Sequence, residues 1–111
     1  MLLDLRQIGA MLIYNVTVNV DFDVEEEWVH WMKTVHIPNV LATGKFFDSK
    51  LLKLLGEEPD ATGTTYATQY FSKAIDLINT YLNEDVAALR QEHMDKFGSK
   101  TVAFRTLLEE V

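Results

Sequence analysis

Three histidines, His30, His36 and His93, are the chain's readiest proton carriers, because imidazole alone among unperturbed side chains changes charge near neutrality. His36 directly precedes Ile37-Pro38 at the end of an apolar-striped segment. There an imidazolium would suit a helix C-terminus and a neutral ring could donate to an orphan carbonyl, which is the structural reading. The functional reading is a general base, or a ligand anchor, at the mouth of a cavity. His93 falls between Leu89 and Phe97 on an apolar register, where a half-buried ring bonded to a strand hydroxyl or carboxylate is the ordinary outcome. His30 lies four residues after Glu26 and reads as half of an exposed pair. His36 and His93 are therefore the candidate acid–base groups.

Arg105 is the other unusual group, a charge in the middle of an otherwise apolar run, sharing a side with Thr101, Ala103 and Leu107. Such an arginine needs a partner: a carboxylate within the sheet or across a dimer is the usual one, and an anionic ligand the alternative. Asn15 and Thr17 could complete an anion pocket. A metal site is not expected, since His30 and His36 point well over a right angle apart around a helix and there is no cysteine to supply a thiolate. Without a glycine-rich phosphate loop or a G-x-S-x-G elbow, no cofactor and no acyl-transfer machinery are expected.

The elements that must hold these groups follow from periodicity. Residues 12–20 alternate, with Leu12, Tyr14, Val16, Val18 and Val20 on one face and Asn15, Thr17 and Asn19 on the other, as in a half-buried strand. Asp23 and Glu26 have capping-box spacing before a helix carrying Val24, Trp28, Trp31, Met32 and Val35. Pro38 should stop that helix and open a short second one over residues 38–43, with Gly44 as its left-handed cap. Residues 45–55 and the Thr- and Tyr-rich 62–71 read as a strand pair around the Gly56-to-Asp60 turn. Ser72 then caps a long helix through Ile75, Ile78, Leu82, Val86, Leu89, His93 and Phe97, closed by Gly98, and residues 100–108 alternate as a last strand.

The order is βαββαβ, which predicts an α+β, ferredoxin-like domain: a four-stranded antiparallel sheet with two helices on one face. The chain's 111 residues suffice for this one domain, taken as residues 11–111. Residues 1–10 read as an N-terminal extension or a misassigned start, with Met11 opening the first strand. A net charge of −7 argues against nucleic acid and anionic membranes as partners, and no apolar run is long enough to span a bilayer. A cytoplasmic setting is expected.

Four stretches of the chain are familiar: Met11-Leu-Ile-Tyr-Asn-Val-Thr-Val-Asn-Val, Trp31-Met-Lys-Thr-Val-His-Ile-Pro-Asn-Val-Leu-Ala-Thr-Gly-Lys-Phe, Glu92-His-Met-Asp-Lys-Phe-Gly and Val102-Ala-Phe-Arg-Thr. In these the chain resembles a bacterial family, the domain of unknown function 4286, over essentially all of residues 11–111. The resemblance implies a ferredoxin-like setting of the dimeric α/β-barrel type and carries over no activity, substrate or catalytic residue.

Three functions remain open. One is a homodimer whose two sheets enclose a small-molecule pocket lined by Asn15, Thr17, Phe46, Tyr66, Tyr70 and Arg105. Another is a cofactor-independent enzyme, by analogy with monooxygenases and isomerases of the dimeric-barrel type, using His36 or His93. The last is a structural or protein-interaction dimer with a filled interface and no pocket.

Overall fold

A computed structural model describes residues 10–111, so the N-terminal extension read over residues 1–10 lies almost wholly outside the described residues. Strand β1 (Leu12–Asp21) leads through a tight turn into helix α1 (Glu25–Trp31), a π-helical turn (Met32–His36) and α2 (Ile37–Ala42). Then come β2 (Asp48–Lys53), β3 (Gly63–Ser72), α3 (Ile75–Glu84), α4 (Val86–Phe97) and β4 (Thr101–Glu109). The strands pair antiparallel in the order β2-β3-β1-β4. This is the expected ferredoxin-like sheet, helices on one face.

Register decides which side chains share that face. Val16 stands opposite Thr68 on β3 and Arg105 on β4, and Tyr14 opposite Tyr70 and Leu107. The Tyr14, Val18 and Val20 row is buried against the helices as the alternation predicts. Asn15, Thr17 and Asn19 face the open side of the sheet, among Thr65 and Thr106.

Pro38 does not stop the first helix. The chain stays helical from Glu25 to Ala42, and the Ile37 amide reaches back five residues to the Met32 carbonyl. Proline offers no amide and its ring crowds the carbonyl of Thr34 in a regular α-helix; the wider turn makes room for it. The wide turn also changes which residues face the sheet. Met32 and Ile37 are both buried, although a step of five in an ideal helix would rotate them about 140° apart. Val35, expected on the apolar stripe, is instead 38% exposed.

Other local expectations are corrected by hydrogen bonding. The Asp23 and Glu26 box does not form: Asp21 accepts from the Asp23 amide at 3.3 Å, and α1 begins without a side-chain cap. Ser72 ends β3 and closes a small turn with Ala74 instead of capping a helix. The long second helix is divided at Asp85, whose carboxylate accepts from Lys45 Nζ at 3.2 Å. Only Asp48–Lys53 of the strand expected over residues 45–55 pairs in the sheet. Gly44, by contrast, has the left-handed φ of 78° that its cap position requires.

The core joins Val20, Trp28, Val40 and Ile78, each fully buried, with an aromatic cluster of Tyr14, Phe46, Tyr70 and Tyr81. Ile78 and Tyr81 are the residues of α3 that are buried in this core. Ile78→Ala is expected to lower unfolding free energy by about 2–5 kcal/mol in urea denaturation, with the spread set by how far the site collapses. A loss within experimental error would show that α3 does not seal the core.

Candidate functional site

Between the helices and the sheet lies a cavity of about 320 Å³, near the small end of the range for ligand pockets. Its sheet wall includes Tyr14, Val16, Thr68, Tyr70, Ala103 and Arg105. Its helical wall includes Met32, His36, Tyr81, Leu89, Arg90 and His93. The edge strand β4 is poorly covered, and Ala103 and Arg105 are exposed where the cavity meets solvent.

The two imidazoles sit in one aromatic group. Their ring centroids are 6.0 Å apart, Trp31 stacks on His36 at 5.1 Å, and Phe97 lies 5.7 Å from His93. His93 Nε2 accepts a hydrogen bond of 2.9 Å from the Trp28 indole, which assigns its proton to Nδ1. Burial, followed by the neighbouring Arg105, holds the His93 imidazole below its usual range. Burial pushes His36 down to about 4, with His93 adding to the effect. Both rings are thus neutral at physiological pH.

Among the described residues, three buried side-chain polar atoms lack a protein partner: Tyr14 Oη, His36 Nδ1 and Thr68 Oγ1. All three belong to residues of the cavity wall. A buried polar atom left without a partner costs on the order of 1–3 kcal/mol, so three beside one cavity are a feature that needs a reason. Burial also raises the hydroxyls of Tyr70 and Tyr81 far above the ordinary phenol range, keeping them as neutral donors.

The residues expected from sequence divide between the two sheet faces. His36, His93, Tyr70 and Arg105 meet at the cavity. Asn15 and Thr17 do not: on the open face Asn15 Nδ2 donates to Thr17 Oγ1 at 3.0 Å and to Thr106 Oγ1 at 3.2 Å. Phe46 packs in the core, 4.9 Å from the Tyr81 ring and 6.0 Å from Tyr14. Tyr66 is tied elsewhere, its hydroxyl donating to Glu25 at 2.6 Å while Thr64 donates to the other carboxylate oxygen at 2.9 Å. These bonds hold Glu25 below the usual carboxylate range, and burial with the Glu25 contact pushes Tyr66 up to about 12. A pocket of Asn15, Thr17, Tyr66, Tyr70 and Arg105 is therefore not assembled within one chain. His36 does not cap a helix end, because it lies inside a continuous helix, whereas His93 is half-buried and hydrogen-bonded to a neighbour as expected, the partner being an indole.

Sequence reasoning missed Tyr14, Thr68, Tyr81 and Arg90. Tyr14 was visible as the one hydroxyl in an aliphatic row. Tyr81 was not, because the stripe favoured Leu82, which is 40% exposed while Tyr81 is 3% exposed. No group of three His, Asp or Glu residues able to hold a metal ion occurs among the described residues. No helix of theirs is long and apolar enough to cross a membrane.

A family model described as a domain of unknown function (DUF4286) matches residues 11–111. The chain belongs to the DUF4286 family. Comparison with curated proteins finds no match. Among solved structures, the chain is similar to an EthD (ethyl tert-butyl ether D) family protein from Bacillus halodurans, at 13% identity and a TM-score of 0.63 over 90% of this chain and 99% of the other. It is similar to a dimeric ferredoxin-like protein from an uncultured marine organism, at 11% identity and a TM-score of 0.58, covering 92% and 96%. A hydroxynitrile lyase from Passiflora edulis aligns at 14% identity and a TM-score of 0.58, covering 90% and 95%. These likenesses place the DUF4286 chain in a shared fold.

The lowered value of His36 sets a pH dependence. Between about 6.5 and about 4 the unfolded chain binds a proton at His36 that the folded chain excludes, so this contribution to stability is complete above 6.5 and is lost as pH falls toward 4. His36→Phe is expected to flatten the fall in stability over that window, measured by urea denaturation at stepped pH. A midpoint for the His36 ring at or above 6.5 in an NMR titration would contradict the buried, neutral assignment.

Proposed function

We propose that this DUF4286 protein is a homodimer in which each chain binds a small, largely apolar molecule in the cavity between its own sheet and helices. The observation that carries this reading is the placement of Tyr14, His36 and Thr68, the residues with unpartnered buried atoms, on the wall of one ligand-sized cavity. The pocket expected between two sheets thus gives way to one inside each chain. The sheet's other face is left for the second copy. There Val102, Phe104 and Leu108 of β4 are 74%, 61% and 44% exposed, a row suited to burial on association. The dimeric ferredoxin-like neighbour gives the same expectation by fold analogy. A cytoplasmic setting belongs to the same reading.

A second reading adds proton transfer without a cofactor. It is favoured by the place of His36, a weak base held neutral at the cavity wall with its Nδ1 unpartnered and the His93 ring centroid 6.0 Å away, so that it would take a proton only transiently. His36→Gln should then keep the bound molecule and lose its turnover.

Native mass spectrometry of the purified protein is expected to show a dimer carrying small-molecule mass, with Ala103→Phe losing that mass by filling the cavity mouth. Phe104→Glu on the open face should give a folded monomer. A wild-type monomer at micromolar concentration would overturn the dimer. A wild-type protein without added mass, whose Met32 and Leu89 methyl signals are also unmoved by xenon under pressure, would overturn the cavity site.

A further inference from the structure

The charge on the cavity wall is opposite to that of the molecule. The chain carries 17 acidic and 10 basic residues, yet among the described residues none that lines the cavity is Asp or Glu. Two of its three arginines, Arg90 and Arg105, line the cavity, while no lysine does. Among the described residues every ion pair is made by a lysine: Lys45 with Asp85, Lys96 with Glu27, and Lys100 with Asp21 and Asp23. Neither cavity arginine is in an ion pair among the described residues.

Resting on the cavity reading above, we propose that the ligand is a small, mostly hydrocarbon monocarboxylate whose carboxylate pairs with Arg105 at the cavity mouth, whose hydrocarbon part lies against Met32, Leu89 and the Tyr81 ring, and whose one neutral polar group meets the unpartnered atoms of Tyr14, His36 and Thr68. An arginine's planar fork takes a carboxylate through two parallel hydrogen bonds, which a lysine's point charge cannot do. Ala103, one pleat along β4 on the same face, has too small a side chain to close the mouth beside it. Apart from Arg90, which like Arg105 is exposed, the walls are apolar or neutral: valines, methionines, a leucine, phenols, threonines and two uncharged imidazoles. Such an interior accepts a ring or a branched chain and penalises a second ionised group. The cavity volume of about 320 Å³ is about twice the roughly 150 Å³ that holds a benzene, so it takes one ring with room for a side chain or a second ring.

The test pairs acids with uncharged isosteres: benzoate and phenylacetate against benzamide and phenylacetamide, followed by calorimetry and by amide shifts in the full chain. The acids are expected to bind at least tenfold more tightly than their amides, shifting the signals of Tyr81, Ala103 and the Trp31 indole. Arg105→Gln, at an exposed position, should fold normally and bring each acid down to the affinity of its amide, and Arg105→Lys should recover only part of the difference. Equal binding of acids and amides, with shifts at Tyr81 and Ala103, would overturn the carboxylate assignment and leave the cavity site standing. Absence of any cavity shift with both acids at millimolar concentration would also overturn it, and the cavity reading would then rest on the mass-spectrometric and xenon measurements.

Discussion

The Trp28 indole is fully buried and has one donor to satisfy, and its acceptor among the described residues is Nε2 of His93, across the helical layer from α1 to α4. A bond of this kind has two consequences. It ties together helices that come from opposite halves of the chain, and it requires a free lone pair on the imidazole. Protonating His93 at that nitrogen would strand the indole in the core, so the folded helix layer and a neutral His93 are coupled. The neutral ring in turn adds no buried cation to a cavity that already carries the exposed Arg90 and Arg105 on its wall.

Proline is what brings His36 into that company. The wide turn that accommodates Pro38 carries His36 as its last residue and keeps Met32 and Ile37 on the buried side. Local backbone accommodation and the position of a proton-carrying group are thereby one event, as is common for π-helical turns. On the other layer, the register of β1 with β4 aligns Val16 with Arg105 and so sets the cation over the same cavity. The site is built from both halves of the fold, and neither split βαβ unit contains it alone.

The architecture was legible because period-two and period-3.6 patterns are strong where one face is buried: the Leu12-to-Val20 alternation, the Trp28 and Met32 stripe and the Gly44 cap all appear as read. The site was legible only in part. His36, His93, Tyr70 and Arg105 could be singled out by type, but which face of the sheet Tyr66 and Tyr70 occupy depends on pairing register, and a slip of one residue reverses it. A polar sheet face such as the open one reads from sequence as a pocket wall. In fact its Asn15 and Asn19 amides are satisfied by neighbouring threonines within the sheet, and the unsatisfied polar atoms are on the helix side. Tyr81 and the π-helical turn were hidden for a related reason: the break at Asp85 and the residue inserted before Pro38 each offset the helix on one side from the other, and one fixed 3.6 period run through them cannot show that.

The central claim is that the cavity between helices and sheet, and not the open sheet face, receives the ligand. It is tested most directly by a crystal structure of the protein soaked with para-iodobenzoate, using anomalous scattering to locate the iodine. The account predicts an iodine peak inside the cavity near Met32 and Tyr81, with the carboxylate against Arg105. Iodine found only on the open face, beside Asn15 and Phe104, would contradict it.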